Sequence, residues 1–363
     1  MSLSQENENV NQSGGKLLAQ GAYGCVFLTK YQPQNNQFVS KLSLVQDAVL
    51  EMRNCKQLIE RVGIEKFDKY FVPVVAYNKV NKTEINAKIL DDSGDNILTN
   101  FKKYEGTELN KCEIYKNNDT MPFLLLHIRK VDGMELLEYL YKTFDSHRPE
   151  KEKRQAFYDI EKHLQIAVNL LKNNNICHYD LHGSNMMFDF KYHTPVIIDF
   201  GLTFFDPHLF KKEEKDLFKK LRRIINYDTE FRIDWWTCEM KYLGQMIRNG
   251  VNFTEKEAEE YAQKTFANNK TYVKLIKMNN LDVFDAKKEY DKLVRFFKTI
   301  SKLEVKEAAI KLLSYWNTWD NFSKAHVLLK ILTHEEKLYN DPEYLDLIKK
   351  LVKEISVIPE ERI

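Results

Sequence analysis

The sequence predicts an α+β chain, with a small antiparallel β-rich portion first and a larger, mostly helical portion after it. Three observations carry this. Between Lys16 and Lys41, short apolar runs alternate with Gly- and Pro-containing turns. From Met134 onward, apolar residues recur at helical spacing with few interruptions. The length, 363 residues, suits two cores better than one.

Each element follows in order. Residues 1–15 are polar, rich in Asn, Gln and Ser, with no apolar stretch, and read as a disordered tail rather than a secretory leader. Lys16-Leu17-Leu18, then Cys25-Val26-Phe27-Leu28, then Phe38-Val39-Ser40-Lys41 read as three antiparallel strands. Residues 46–62 place Ala48, Met52, Cys55, Ile59 and Val62 at helical period and stop at Gly63. Residues 71–77 read as a strand, 78–120 as a polar, loop-like insertion, and 122–128 as a buried strand. The expected division is a tail at 1–15, a first portion at 16–131 and a second at 132–363, with a helical insertion at about 245–315.

Composition sets limits on function. A net charge of +2 gives no argument for nucleic acid or membrane as a partner. The basic run Lys219-Lys220-Leu221-Arg222-Arg223 follows an acidic one, Glu213-Glu214-Lys215-Asp216, and reads as a solvated helix face. The most apolar stretch, 122–128, is too short to span a bilayer. The five cysteines, Cys25, Cys55, Cys112, Cys177 and Cys238, show no CxxC pair and no metal-ligand spacing. The simple expectation is a reducing, cytoplasmic setting.

The most informative stretch is His178-Tyr179-Asp180-Leu181-His182-Gly183-Ser184-Asn185, followed by Ile197-Ile198-Asp199-Phe200-Gly201. Two carboxylates and an amide stand at fixed offsets, and an apolar run leads into the second carboxylate. Phosphoryl transfer from ATP needs this set: one Asp to orient the attacking hydroxyl and take its proton, an Asn and a second Asp to hold magnesium on the phosphates. Between Asn185 and Asp199 there is room for one short hairpin, Met186-Met187-Phe188 against Pro195-Val196-Ile197-Ile198.

These two segments resemble the catalytic loop and the DFG motif of the protein kinase superfamily. Other segments resemble further kinase landmarks in order. Leu18-Ala19-Gln20-Gly21-Ala22-Tyr23-Gly24-Cys25-Val26 resembles the Gly-rich loop over ATP phosphates, with Ala19 where the first Gly usually stands. Phe38-Val39-Ser40-Lys41 resembles the strand whose Lys pairs the α- and β-phosphates. Its acidic partner is expected at Glu51, with Glu60 as the competitor. Ile128 would be the gatekeeper beside adenine, the backbone of 129–131, including Lys130, would bond the adenine edge, and Glu135 would approach the ribose.

The resemblance implies Asp180 as base, Asn185 and Asp199 as magnesium ligands, and Lys41 and His182 as further catalytic groups. Leu18, Gly21, Gly24 and Val26 would line the nucleotide. Tyr179 departs from the usual Arg that receives an activation-segment phosphate, and His182 from the usual Lys. A His-x-Asp-Leu-His-x-x-Asn loop also resembles aminoglycoside- and choline-kinase-type phosphotransferases. Trp236-Thr237-Cys238-Glu239 resembles a degenerate Ala-Pro-Glu, Trp319-Asp320-Asn321-Phe322-Ser323 the start of a helix whose Asp holds the catalytic loop, and Pro359-Glu360-Glu361-Arg362 the Arg that pairs with the glutamate. Asp234 is the rival for Asp320. The implied fold is bilobal and protein-kinase-like, with MgATP in the cleft between lobes, and the implied activity is phosphorylation of Ser/Thr in proteins. The details most resemble kinases of large DNA viruses, a resemblance that implies the host cytoplasm or the virion as the setting. A small-molecule phosphotransferase and a pseudokinase scaffold are the alternatives.

Overall fold

The structure is a computed structural model that describes residues 4–5, 17–21, 24–28, 38–90, 96–101, 107–118, 121–225, 233–278, 284–334, 338 and 341–362. It divides into two compact units, the first Met1–Asp132 with Ile198–Gly201, the second Gly133–Ile197 with Leu202–Ile363.

The first unit contains, in chain order, β1 (Ser4–Gln5), β2 (Leu17–Gly21), β3 (Gly24–Leu28), β4 (Phe38–Leu44), α1 (Val45–Val62), α2 (Ile64–Tyr70), β5 (Val74–Val80), β6 (Ile85–Leu90), β7 (Asn96–Phe101), α3 (Glu113–Lys116) and β8 (Phe123–Arg129). Six of these strands form one sheet in the order β1-β5-β8-β4-β3-β2. It is antiparallel throughout except that Ser4–Gln5 joins Ala76 and Tyr77 in parallel, so this dipeptide of the expected disordered tail is ordered. The rest of 1–15 lies outside the described residues.

Helix α1 ends at Gly63, which takes φ 84°. That left-handed backbone is easily reached only without a Cβ. Its buried stripe is Val45, Ala48, Glu51, Asn54, Cys55, Leu58 and Val62. The expected core residues Met52 and Ile59 are only half-buried, because the helix turns two polar side chains, Glu51 and Asn54, inward. β5 begins at Val74 rather than at 71, consistent with Pro73 having no N–H to give a ladder.

The region expected to be loop-like, 78–120, carries a hairpin. Its β6–β7 register sets Ile85 opposite Phe101, Ala87 opposite Thr99 and Ile89 opposite Ile97. This alternation of period two is sparse enough to be masked by the polar residues between. A 3₁₀ turn at Thr107–Lys111 and α3 follow. Here Leu109, Cys112 and Tyr115 join Cys25, Phe27, Leu42, Val80, Phe123 and Leu125 in one core.

Cys25 and Cys112 are joined by a disulfide, and Cys55, Cys177 and Cys238 are free and buried. This pair joins two of the cysteines that showed no paired spacing in the sequence. The two partners lie 87 residues apart, a separation that no spacing rule reveals.

The second unit opens with β9 (Gly133–Glu135), α4 (Leu136–Asp145), α5 (Glu150–Asn173), β10 (Ile176–Cys177), β11 (Met186–Asp189), β12 (Thr194–Ile197), β13 (Phe204–Phe205) and α6 (Leu217–Ile224). Then come α7 (Cys238–Asn249), α8 (Glu255–Ala267), α9 (Lys270–Lys277), α10 (Ala286–Ser301), α11 (Val305–Leu313), α12 (Trp319–Leu332) and α13 (Pro342–Glu354). The stretch 245–315, expected to be helical, thus holds the end of α7 and all of α8–α11. Starts are set by side-chain caps: Thr237 accepts from the N–H of Met240, and Thr254 with Glu257 forms a reciprocal capping box on α8.

Helix α12 is the axis of this unit. All of its residues but Lys330 are buried, and it packs against α4, α5, α9 and α13. Its Lys324 is fully buried and is neutralised by Glu354 at 2.9 Å and Glu161 at 3.4 Å. A buried charge is tolerable only when paired in this way. The expected hairpin exists as β11–β12, with Met186 opposite Ile197 and Phe188 opposite Pro195.

Candidate active site

In the first unit the site is built on β4 and α1. Lys41 lies opposite Val26 on β3 and Leu126 on β8, and its Nζ donates to Glu51 Oε2 at 2.8 Å and to Asp199 Oδ2 at 2.8 Å. Glu60, the competing partner, is exposed near the helix end. Burial alone would lower the Lys41 pKa. The two carboxylates outweigh it, so the ammonium is held above its ordinary value and stays charged. Burial pushes the Glu51 carboxyl up, and Lys41 opposes that.

Asp199 adopts φ 63°, an uncommon conformation for a residue with a side chain, and its Oδ1 accepts from the N–H of Gly201 at 3.3 Å. The next residue fixes the turn. The Phe200 ring is buried against Phe67 and Phe71, and its carbonyl accepts from Asn54 Nδ2 at 2.8 Å. Asn54 went unnoticed in the sequence. The signal was its position three residues after Glu51, on the same face of α1.

The nucleotide-lining candidates fare unevenly. A Cβ on Gly24 would meet the Leu42 carbonyl oxygen at 2.4 Å, so close strand packing by itself accounts for that glycine. A Cβ on Gly21 would meet nothing within 4 Å. Leu18 is exposed beside a β-bulge, and Val26 is half-buried. Ala22 and Tyr23 lie outside the described residues. Ile128 is half-buried opposite Val39, and Lys130 is exposed.

In the second unit the loop before β11 presents Asp180. Asn185 Nδ2 donates to the Asp180 carbonyl at 2.8 Å and reaches its Oδ2 at 3.4 Å, and its Oδ1 has no hydrogen-bond partner among the described residues. His182 Nε2 lies 3.6 Å from Asp180 Oδ2, and the indole N–H of Trp235 donates to Asp180 Oδ1 at 3.1 Å. Burial pulls the Asp180 pKa up, but His182, Trp235 and His178 together hold it below the ordinary carboxylate value. Glu135 is exposed at the start of α4, 3.4 Å from the Ser184 hydroxyl.

The loop is held from behind. Asp320 on α12 accepts from the N–H of His178 at 2.8 Å and of Tyr179 at 3.1 Å. Its rival, Asp234, instead accepts from the N–H of Lys270 at 3.2 Å. Tyr179 takes φ 70° and buries its ring among Phe204, Trp236 and Trp319. Glu239 and Arg362 form a fully buried bidentate pair, with Nη2 to Oε2 at 2.9 Å and a second short bond between Nη1 and Oε1.

The donor chemistry fits magnesium. Asn185 Oδ1 and the Asp199 carboxylate are hard oxygen donors of the kind Mg²⁺ takes. Among the described residues no group of three or more His, Cys, Asp or Glu forms a metal site of its own. Among the described residues no helix is long and apolar enough to cross a membrane.

No protein-family model matches the sequence. No curated protein matches it either. Among solved structures it is similar to the kinase PK-1 of Cydia pomonella granulovirus, at 17% identity and a TM-score of 0.30. That match spans 52% of this chain and 54% of the other, about half of each.

Proposed function

We propose that this protein is an ATP-dependent phosphotransferase, and specifically a protein kinase that moves the γ-phosphoryl group of MgATP to Ser or Thr hydroxyls. The observation that carries the reading is Lys41 bonded at once to Glu51 and to Asp199, with Asp199 in a left-handed backbone conformation. A lysine kept charged by two carboxylates is a ready phosphate ligand, and ATP can compete for it by replacing one of them.

The remaining roles follow from chemistry. Lys41 would bind the phosphates, and Asn185 and Asp199 would hold Mg²⁺, which neutralises charge on the transferring group. Asp180 would accept the proton of the incoming hydroxyl. Its carboxyl is ionised well below neutral pH and so is ready as a base. His182 lies close enough to the Asp180 carboxylate to shape the field at that oxygen.

The test is transfer of radiolabelled γ-phosphate to generic acidic and basic proteins, run beside a panel of aminoglycosides and choline, with phosphoamino-acid analysis of the product. Label on Ser or Thr supports the proposal. Label only on a small molecule moves the assignment to a small-molecule phosphotransferase, and no transfer with intact ATP binding moves it to a scaffold.

A further inference from the structure

We propose that Trp235 is a positioning residue for Asp180, its indole N–H fixing one carboxylate oxygen so that the other faces the acceptor hydroxyl. This rests on the reading of Asp180 as the group that takes the substrate proton.

The geometry singles out this contact. Among the described residues, Trp235 has the side chain that reaches a carboxylate oxygen of Asp180 most closely, at 3.1 Å on Oδ1. Asn185 stands at 3.4 Å and His182 at 3.6 Å, both on Oδ2. An indole N–H donates and cannot accept, so it favours the ionised carboxylate at every pH. Neighbouring tryptophans show that packing alone does not demand such a bond. Trp236 and Trp319 are buried, and their indole nitrogens have no hydrogen-bond partner among the described residues. Trp235 is the less buried ring, and it gives its N–H to the candidate base.

Trp235 is also held in place. Its carbonyl accepts from the Ser323 hydroxyl at 2.7 Å, and Asp234 just before it is tied to the start of α9. Ser323 lies three residues after Asp320, one turn along α12, and Asp320 holds the backbone of His178 and Tyr179. A single turn of one buried helix therefore fixes both the loop carrying the base and the residue that orients it. The Trp235 ring further lies 4.7 Å from the His182 imidazole, so the same side chain limits where His182 can turn.

The test uses Trp235→Phe, which keeps a ring and removes the N–H, with Trp235→His as the variant that restores a ring donor. The ¹H–¹⁵N resonance of the Trp235 indole, assigned by its absence in W235F, needs no activity: Asp180→Ala should move it, because its acceptor is gone. In turnover, W235F should lower kcat about tenfold with KM for ATP unchanged, and W235H should recover part of the loss.

An indole resonance unmoved by Asp180→Ala, or a folded W235F with unchanged kcat, overturns the inference. A moved resonance in a wild-type protein that transfers no phosphate overturns the proposed function and leaves the hydrogen bond standing. Should W235F fail to fold, Ser323→Ala, which frees the Trp235 backbone and spares its ring, must lower kcat with KM for ATP unchanged. If it does not, the inference falls.

Discussion

Cutting the Glu239–Arg362 pair gives a sharp test of how the second unit is held together. Both side chains are fully buried, so removing either leaves a charge with no water to solvate it, at a cost of about 3–5 kcal/mol. The two truncations should differ. Arg362 also donates Nε to the Ser356 carbonyl at 2.8 Å and Nη1 to Thr318 Oγ1 at 3.1 Å, and it lies over the Phe322 ring at 5.0 Å. Glu239→Ala therefore leaves a guanidinium that keeps two acceptors and an aromatic face, and it should sit near 3 kcal/mol. Arg362→Ala strands the carboxylate and forfeits those contacts too, so it should sit near 5 kcal/mol. The double variant should cost clearly less than the sum, because neither charge is left alone. All four tryptophans, Trp235, Trp236, Trp316 and Trp319, belong to this unit, so urea unfolding followed by tryptophan emission reports on it selectively. At roughly 2–4 °C per kcal/mol for units of about 150–250 residues, the R362A loss should lower Tm by more than about 10 °C. Single losses under about 1 kcal/mol, or E239A costlier than R362A, would refute the reasoning.

Three further outcomes follow. Asp180→Asn should retain fold and ATP binding while turnover drops about 10²–10⁴-fold, measured by label transfer; a rate within tenfold of wild type removes Asp180 from the role of base. Asp199→Ala should abolish the magnesium-dependent part of thermal stabilisation by ATP, and an unchanged magnesium effect contradicts its assignment as a ligand. His326 is depressed to about 3, by burial first and then by Lys241, Lys330 and Lys274. Its neutral form is the one folded, so its contribution is full above about pH 6.5 and is lost as pH falls toward 3. Between pH 6.5 and 5 wild type should lose about 2 kcal/mol more than His326→Gln in urea unfolding, and equal losses would show that the histidine takes up its proton without cost.

Different parts of the molecule were legible to different depths. The β–α order, Lys41 and the β11–β12 hairpin could be read because each leaves a local signature or a fixed order along the chain, whereas the buried Glu239–Arg362 pair came only from the family resemblance. Glu51 could be preferred to Glu60 because a mid-helix position turns inward more readily than a helix end. The β6–β7 hairpin was hidden because only alternate residues of a short, otherwise polar stretch carry its pattern. Met52 and Ile59 misled because periodicity marks apolar residues, whereas this helix buries Glu51 and Asn54 for partners on β4 and at Phe200. Cys25–Cys112 and Trp235–Asp180 were out of reach for a common reason. Each joins residues far apart in sequence, and neither partner type is committed to bonding by its neighbours.

The position of Tyr179 bears on control of the site. In the resemblance that the sequence suggests, an arginine there serves to draw in a phosphate and so order the loop. Here the side chain is a neutral phenol ring packed edge-on to Phe204 and against Trp236 and Trp319. Aromatic contacts of this kind contribute about 0.5–1.5 kcal/mol each beyond the area they bury, and they need no modification to form. Asp320 adds two hydrogen bonds to the backbone on the same side, and its own carboxylate is buried and satisfied by them. The strained φ of Tyr179 is thus held by permanent packing and by a carboxylate on a rigid helix. A loop fixed by such means keeps its shape whether or not a phosphate is nearby, and at residue 179 there is no cation for a phosphate to find.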